Sequence, residues 1–155
     1  MPTLSVTRQS FGGQAILLIR RSIPRSALQP MLAECFGKLF AHGHTARLPV
    51  VGGPIARYLA VGSGLWTVEA AMPLAMPAAA EGEMEAGTLP AGPVAVGIHA
   101  GLYEQLPETY AAIEKWMATE GVRTAGAPWE SYLTDPGQFP NPANWRTEVY
   151  WPLKI

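Results

Sequence analysis

Leu28, Met31, Leu32, Cys35, Phe36, Leu39 and Phe40 recur every three or four positions, the spacing that lays one apolar stripe along an α-helix. The stripe predicts a helix from about Leu28 to His42 and Gly43, with Ser26 as its cap and Pro30 in the first turn, where a missing N–H costs little. A second stripe, Leu106, Tyr110, Ile113 and Met117, predicts another helix, opened by Pro107 and ending before Gly121. Elsewhere the pattern predicts strands. Residues Leu4 to Arg21 read as strand, with Gly12 and Gly13 marking a turn or bulge before the run from Ile16 to Ile19. Ile55 to Val61 and Leu65 to Met72 read as two strands joined at Gly62 to Gly64, and Glu83 to His99 repeats the first strand. Trp129 to Thr134 and Arg146 to Leu153 close the chain around a Gly- and Pro-rich hairpin. The stretch from Leu74 to Gly82, rich in Ala, Pro and Met, reads as a connector lying on the surface of the fold.

The same order of elements occurs twice. Trp66–Leu74 (WTVEAAMPL) and Trp145–Leu153 (WRTEVYWPL) share Trp, Glu, Pro and Leu at identical internal spacing, and Pro54–Tyr58 (PIARY) matches Pro128–Tyr132 (PWESY). The expected fold is therefore α+β: two pseudo-symmetric strand-helix-strand-strand repeats, about residues 4–74 and 83–153, in a single domain of 155 residues. They form antiparallel sheet with helices on one face and a ligand cleft on the other, at the seam between the halves. Differences between the copies mark where polar chemistry has been acquired. Glu130 is the main one, since its counterpart is Ala56.

Composition narrows the function classes. Charged residues make up 15% of the chain, against roughly 25% in an average soluble domain, which leaves apolar surface of the kind a homodimer interface or an open ligand groove uses. The net charge is -1, and Arg20, Arg21 and Arg25 make too small a cluster to neutralise phosphates, so direct nucleic-acid binding is not expected. The single cysteine, Cys35, cannot form an internal disulfide and lies on an apolar stripe, which reads as a buried structural thiol in a reducing, cytoplasmic setting. No leader-like segment opens the chain and no apolar run is long enough to span a bilayer, so neither export nor membrane insertion is expected. His42 and His44 lack further ligating neighbours in sequence, so neither metal nor cofactor is expected.

Alternation along strands assigns faces. On the last strand Thr147, Val149 and Trp151 share one face and Arg146, Glu148 and Tyr150 the other; in its partner Trp129, Ser131 and Leu133 alternate with Glu130 and Tyr132. If the more apolar set of each strand meets the helices, then Glu130, Tyr132, Glu148 and Tyr150 converge on the open face. Tyr58 and Glu69, the counterparts of Tyr132 and Glu148, join them from the other half.

Gly101-Leu102-Tyr103 after a strand, the helix with Tyr110 and Trp116, Pro128–Tyr132, and Thr147–Pro152 together make the chain resemble the GyrI-like small-molecule-binding domain family. That family includes drug-binding domains of MerR-type activators, effector domains of AraC-type regulators and stand-alone gyrase-inhibitor-like proteins. The resemblance implies paired repeats around a ligand cleft. It places Glu130 in the cleft among aromatic rings and facing lipophilic cations, with Tyr103 near the mouth and Tyr150 as an aromatic wall. The sequence carries no helix-turn-helix, so a regulatory role is expected to need a separate DNA-binding partner.

The leading expectation is binding of hydrophobic, often cationic, small molecules. A carboxylate among rings loses hydration, and an organic cation restores that loss while stacking on the rings. The candidate ligand-binding residues are Glu130, Tyr58, Glu69, Tyr103, Tyr110, Tyr132, Glu148 and Tyr150. Glu69 and Glu148 could equally hold matching hairpins together, and Trp66, Trp116, Trp145 and Trp151 read as packing. Two alternatives stand beside this. Some stand-alone members of the family hydrolyse electrophilic cyclopropanes in DNA-alkylating natural products, a role in which Glu130 and Tyr103 would be catalytic. Others act as gyrase-inhibitor-like modules that bind a protein partner.

Overall fold

The computed structural model describes residues 3–155, with side chains from residue 5 onward. Nine strands and two α-helices form among them: β1 (Thr3–Phe11), β2 (Gln14–Ile23), α1 (Leu28–Thr45), β3 (Ile55–Ala60), β4 (Trp66–Leu74), β5 (Glu85–Leu89), β6 (Gly92–Ala100), α2 (Leu106–Glu120), β7 (Arg123–Thr124), β8 (Trp129–Tyr132) and β9 (Arg146–Lys154). Every strand pairing described below is antiparallel, and the class is α+β as expected. The chain forms two compact units, one comprising the chain up to Phe11 with Gly92–Ile155, the other Gly12–Ala91.

In the first unit β1, β6, β9 and β8 pair in that order, with β7 on β9. In the second the order is β3, β4, β2, β5. The first strand of each sequence half thus pairs with the second strand of the other half: β1 lies on β6, and β5 on β2. Gly13 and Gly92, with φ of 90° and 137°, take backbone conformations that glycine adopts at little cost.

α1 starts where the stripe predicts, but its N-cap is Ala27, with no side-chain cap hydrogen bond; a 3-10 turn over Arg25–Ala27 leads into it instead of a Ser26 cap. The stripe buries Met31, Leu32, Cys35 and Leu39, and burial raises the Cys35 thiol pKa. Gly43 permits the close approach of α1 to β4, because a Cβ there would meet Met72 Sδ at 2.9 Å. α2 ends at Gly121 in the left-handed conformation. It packs Leu106, Ile113 and Met117 against Ala95, Val149 and Leu153, with Trp116 and Trp151 at the margin of that core. A Cβ at Gly97 would lie 3.0 Å from Ile113, so Gly97 marks the helix-covered face.

On β9 that face carries Val149 and Trp151, as strand alternation suggested, but on β8 it does not carry the expected side chains. Residues directly opposite in an antiparallel pair share a face, and the register sets Gly97 opposite Val149, Val149 opposite Glu130, and Thr147 opposite Tyr132. Glu130 and Tyr132 therefore lie on the α2 side, away from Glu148 and Tyr150. Trp129 takes the other face, stacking on Tyr150 at 5.4 Å and 10°, with Phe11 at 5.2 Å. The expectation failed because β8 is aromatic on both faces, so its more apolar set does not identify the helix side. In the second unit the same split occurs. Tyr58 pairs with Val68 on the α1 face that holds Met72, while Glu69 faces the opposite way with Arg57 and Arg20.

Candidate functional site

Four residues, two from α2 and its leading turn and two from β8, build one cluster. Glu130 is 4% exposed. Its Oε2 accepts from the Tyr110 hydroxyl at 2.8 Å, an ordinary O–H···O distance, and its Oε1 from the Tyr132 hydroxyl at 2.5 Å, in the range of charge-assisted bonds. Phenols hold a carboxylate in place without cancelling its charge. Around this pair the rings interlock: Tyr103 meets Tyr132 edge-on at 5.6 Å, Trp145 stacks on Tyr103 at 5.0 Å, and Trp151 meets Tyr110 edge-on at 5.6 Å. The result is a buried acid rimmed by aromatic faces, whose negative quadrupoles suit organic cations.

Tyr103 is set by its backbone. His99 is fully buried at the end of β6; its Nε2 donates to the Leu102 carbonyl at 2.7 Å and its Nδ1 meets the Thr109 hydroxyl at 2.7 Å. The Gly101 N–H donates to the Trp145 carbonyl, with Gly101 at φ 109°. Together these bonds fix the turn that aims Tyr103 at Tyr132. Burial raises the Tyr103 phenol above the usual tyrosine range, helped by the charges of Asp135 and Glu130. It stays a proton donor.

The other sequence candidates lie elsewhere. Glu148 accepts from Tyr150 at 3.0 Å on the face opposite α2. Burial, then the charge of Glu148 and this bond, push Tyr150 up to about 12. Glu69 is buried in the second unit, where Arg20 donates through Nε at 3.2 Å and Nη2 at 2.9 Å and Arg57 through Nη1 at 3.5 Å. Its carboxylate is occupied as the centre of an ion-pair network that extends to Glu85. Tyr58 meets Trp66 edge-on at 6.1 Å, and Arg25 lies over the same indole at 5.6 Å.

Of the eight sequence candidates, the structure thus brings together Glu130, Tyr103, Tyr110 and Tyr132. Trp145 and Trp151 join them, although their strong packing role hid this in the sequence. Among the described residues no group of three His, Cys, Asp or Glu is placed to hold a metal, and no helix is long and apolar enough to cross a membrane.

None of the curated proteins searched matches the chain. Among solved structures, the crystal structure of the EcmrR C-terminal domain matches with a TM-score of 0.82 at 18% identity, covering 99% of this chain and 99% of that one. EcmrR in complex with DNA matches with a TM-score of 0.84 at 18% identity over 97% of this chain, which spans 57% of that relative's length. A hydrolase from Listeria innocua matches at 0.69 and 16% identity, covering 99% of this chain and 94% of that one. SAV2435 bound to tetraphenylphosphonium matches at 0.67 and 14% identity, covering 97% and 94%. These likenesses establish the fold. A family model for the GyrI-like small molecule binding domain matches residues 15–154; with the fold in agreement, the chain belongs to that family.

Proposed function

We propose that the chain binds hydrophobic organic cations at the Glu130 cluster, with Tyr103, Tyr110, Tyr132, Trp145 and Trp151 as the aromatic surround. The observation that carries this is a nearly buried carboxylate held by two phenol hydroxyls inside a ring of aromatic side chains. Removing a carboxylate from water is costly, and a ligand that brings a delocalised positive charge and flat apolar rings offsets that cost. Tetraphenylphosphonium, bound by the structurally similar SAV2435, has that chemistry. Glu148, Tyr150, Glu69 and Tyr58 stay outside this proposal, since they lie off the cluster's face or in the other unit. The test is to titrate tetraphenylphosphonium into wild type and Glu130→Gln while following tryptophan fluorescence. A tenfold or greater loss of affinity in the variant is expected; equal affinity would overturn the proposal.

A hydrolytic reading has one observation in its favour, a phenol and a carboxylate in one cluster: the Tyr103 ring meets Tyr132 edge-on, and the Tyr132 hydroxyl donates to Glu130. Opening a carbonyl-conjugated cyclopropane breaks one ring C–C bond. Tyr103 would protonate the developing oxyanion, and water would add at carbon, its proton passing to Glu130. Incubation with such an electrophile and mass analysis tests this: addition of one water, lost in Tyr103→Phe, is expected of an enzyme, and unchanged starting material of a binding module.

A further inference from the structure

Across the α2 face of the first unit, two rows of side chains run from β6 through β9 to β8: Gly97, Val149, Glu130 and, beside it, His99, Thr147, Tyr132. Thr147 is 0% exposed, and its Oγ1 has no hydrogen-bond partner among the described residues. The polar groups flanking it in the row are engaged elsewhere. Both nitrogens of His99 are taken by Thr109 and Leu102, and the Tyr132 hydroxyl goes to Glu130. A buried hydroxyl without a partner weakens a fold. Valine has the same shape and would fill the position without that cost, as Val149 does one step along the strand. The fold therefore gains nothing from the hydroxyl.

We infer that Thr147 is a second polar anchor of the ligand site and that the preferred ligand carries a hydrogen-bonding group as well as a positive charge. The inference rests on the reading of Glu130 as the charge partner and deepens it. Thr147 is diagonal to Glu130 across the β8–β9 pair, a relation that spaces the two backbone positions roughly 7 Å apart on one face, so one ligand can reach both side chains. A rigid aromatic cation with a hydroxyl or carbonyl on its ring fits both. A bare tetraaryl cation satisfies Glu130 alone. Both anchors are closed to solvent in this structure, so the ligand reaches them by parting side chains. The Tyr103–Tyr132 contact and the Tyr103–Trp145 stack offer the route, since Trp145 ends the hairpin strap between β8 and β9.

A matched set of probes tests this: tetraphenylphosphonium and its analogues with one hydroxymethyl group at the meta or para position of one ring, titrated calorimetrically into the whole chain. Wild type is expected to bind at least one hydroxymethyl analogue about five- to tenfold more tightly than the parent. Thr147→Val is expected to melt at the same or a higher temperature, to keep the parent's affinity within about twofold and to lose the preference. Thr147→Ser should retain it. Should Thr147→Val fold poorly, Thr147→Ala is expected to show the same loss. Absence of a preference in wild type, or an undiminished one in the Val and Ala variants, overturns the assignment of Thr147. Failure of the Glu130 reading looks different, because Glu130→Gln would then leave the parent's affinity unchanged.

Discussion

The Tyr110 hydroxyl donates to Glu130 Oε2 over 2.8 Å, joining the second turn of α2 to the short strand β8. This bond converts helix packing into site geometry, because α2 is itself fixed on β6 and β9 by Leu106, Ile113 and Met117. Removing one phenol leaves a buried carboxylate oxygen short of a donor. Tyr110→Phe is expected to cost about 2 kcal/mol, the range for hydrogen bonds to charged groups. In a Glu130→Leu background the same change should cost less, since this acceptor is gone. Urea denaturation of the four proteins measures the coupling.

Helix and strand order were legible in the sequence because the periodicities are clean: the stripes from Leu28 to Phe40 and from Leu106 to Met117 fall inside α1 and α2. The duplicated segments became β4 and β9 for the same reason. Glu130 was legible as the difference from Ala56. The face it takes was not. Trp129 and Glu130 are both buried, so composition gave β8 two plausible inner sides, and only its register with β9 decides between them. The partnering of Glu69 with Arg20 and Arg57 depends on strand pairings 49 and 12 residues apart, and the two-residue strand β7 is too short for any period to show.

Glu69 sits in an ion-pair network with Arg20 and Arg57, apart from the role proposed for Glu130. Glu69→Gln takes the charge partner from Arg57, whose buried Nε already has no hydrogen-bond partner among the described residues. The half-exposed Arg20 keeps water and Glu85. The expected loss is about 2–3 kcal/mol of stability, below the full penalty of a wholly buried pair, with tetraphenylphosphonium affinity within about twofold of wild type. A large fall in affinity at unchanged stability would return Glu69 to the ligand site.

Gly97 holds α2 close to the sheet. Gly97→Ala sets a Cβ 3.0 Å from Ile113 Cδ1 and 3.1 Å from Cγ1, where the isoleucine is fully buried. Overpacking of this kind costs about 1–3 kcal/mol. Ile113 or α2 itself must give by a few tenths of an ångström, and any lift of the helix stretches the Tyr110–Glu130 bond. Shortening the neighbour in Gly97→Ala/Ile113→Val should recover about half of the lost stability and most of the lost ligand affinity. Additive losses in the double variant would show that the contact with Ile113 is not the cause.

Tyr150 makes the protein sensitive to alkali. An unfolded tyrosine ionises near pH 10, whereas burial and the neighbouring Glu148 push Tyr150 up to about 12. The folded state thus holds this proton more tightly than the unfolded chain does. The stability it contributes is fully present below about pH 10 and is lost as the pH rises through about 12. Tyr103 is raised in the same direction and adds to the slope. Denaturation curves between about pH 9 and about pH 12 should show stability falling with pH in wild type and falling less in Tyr150→Phe. Absorbance titration of the phenols should lose its highest step in that variant. Because Tyr150 faces away from α2, Tyr150→Phe should leave tetraphenylphosphonium affinity at neutral pH within about twofold of wild type. An unchanged alkaline slope would mean that the Tyr150–Glu148 pair stays hydrated in solution, and a loss of affinity would place the ligand on the face that holds Trp129.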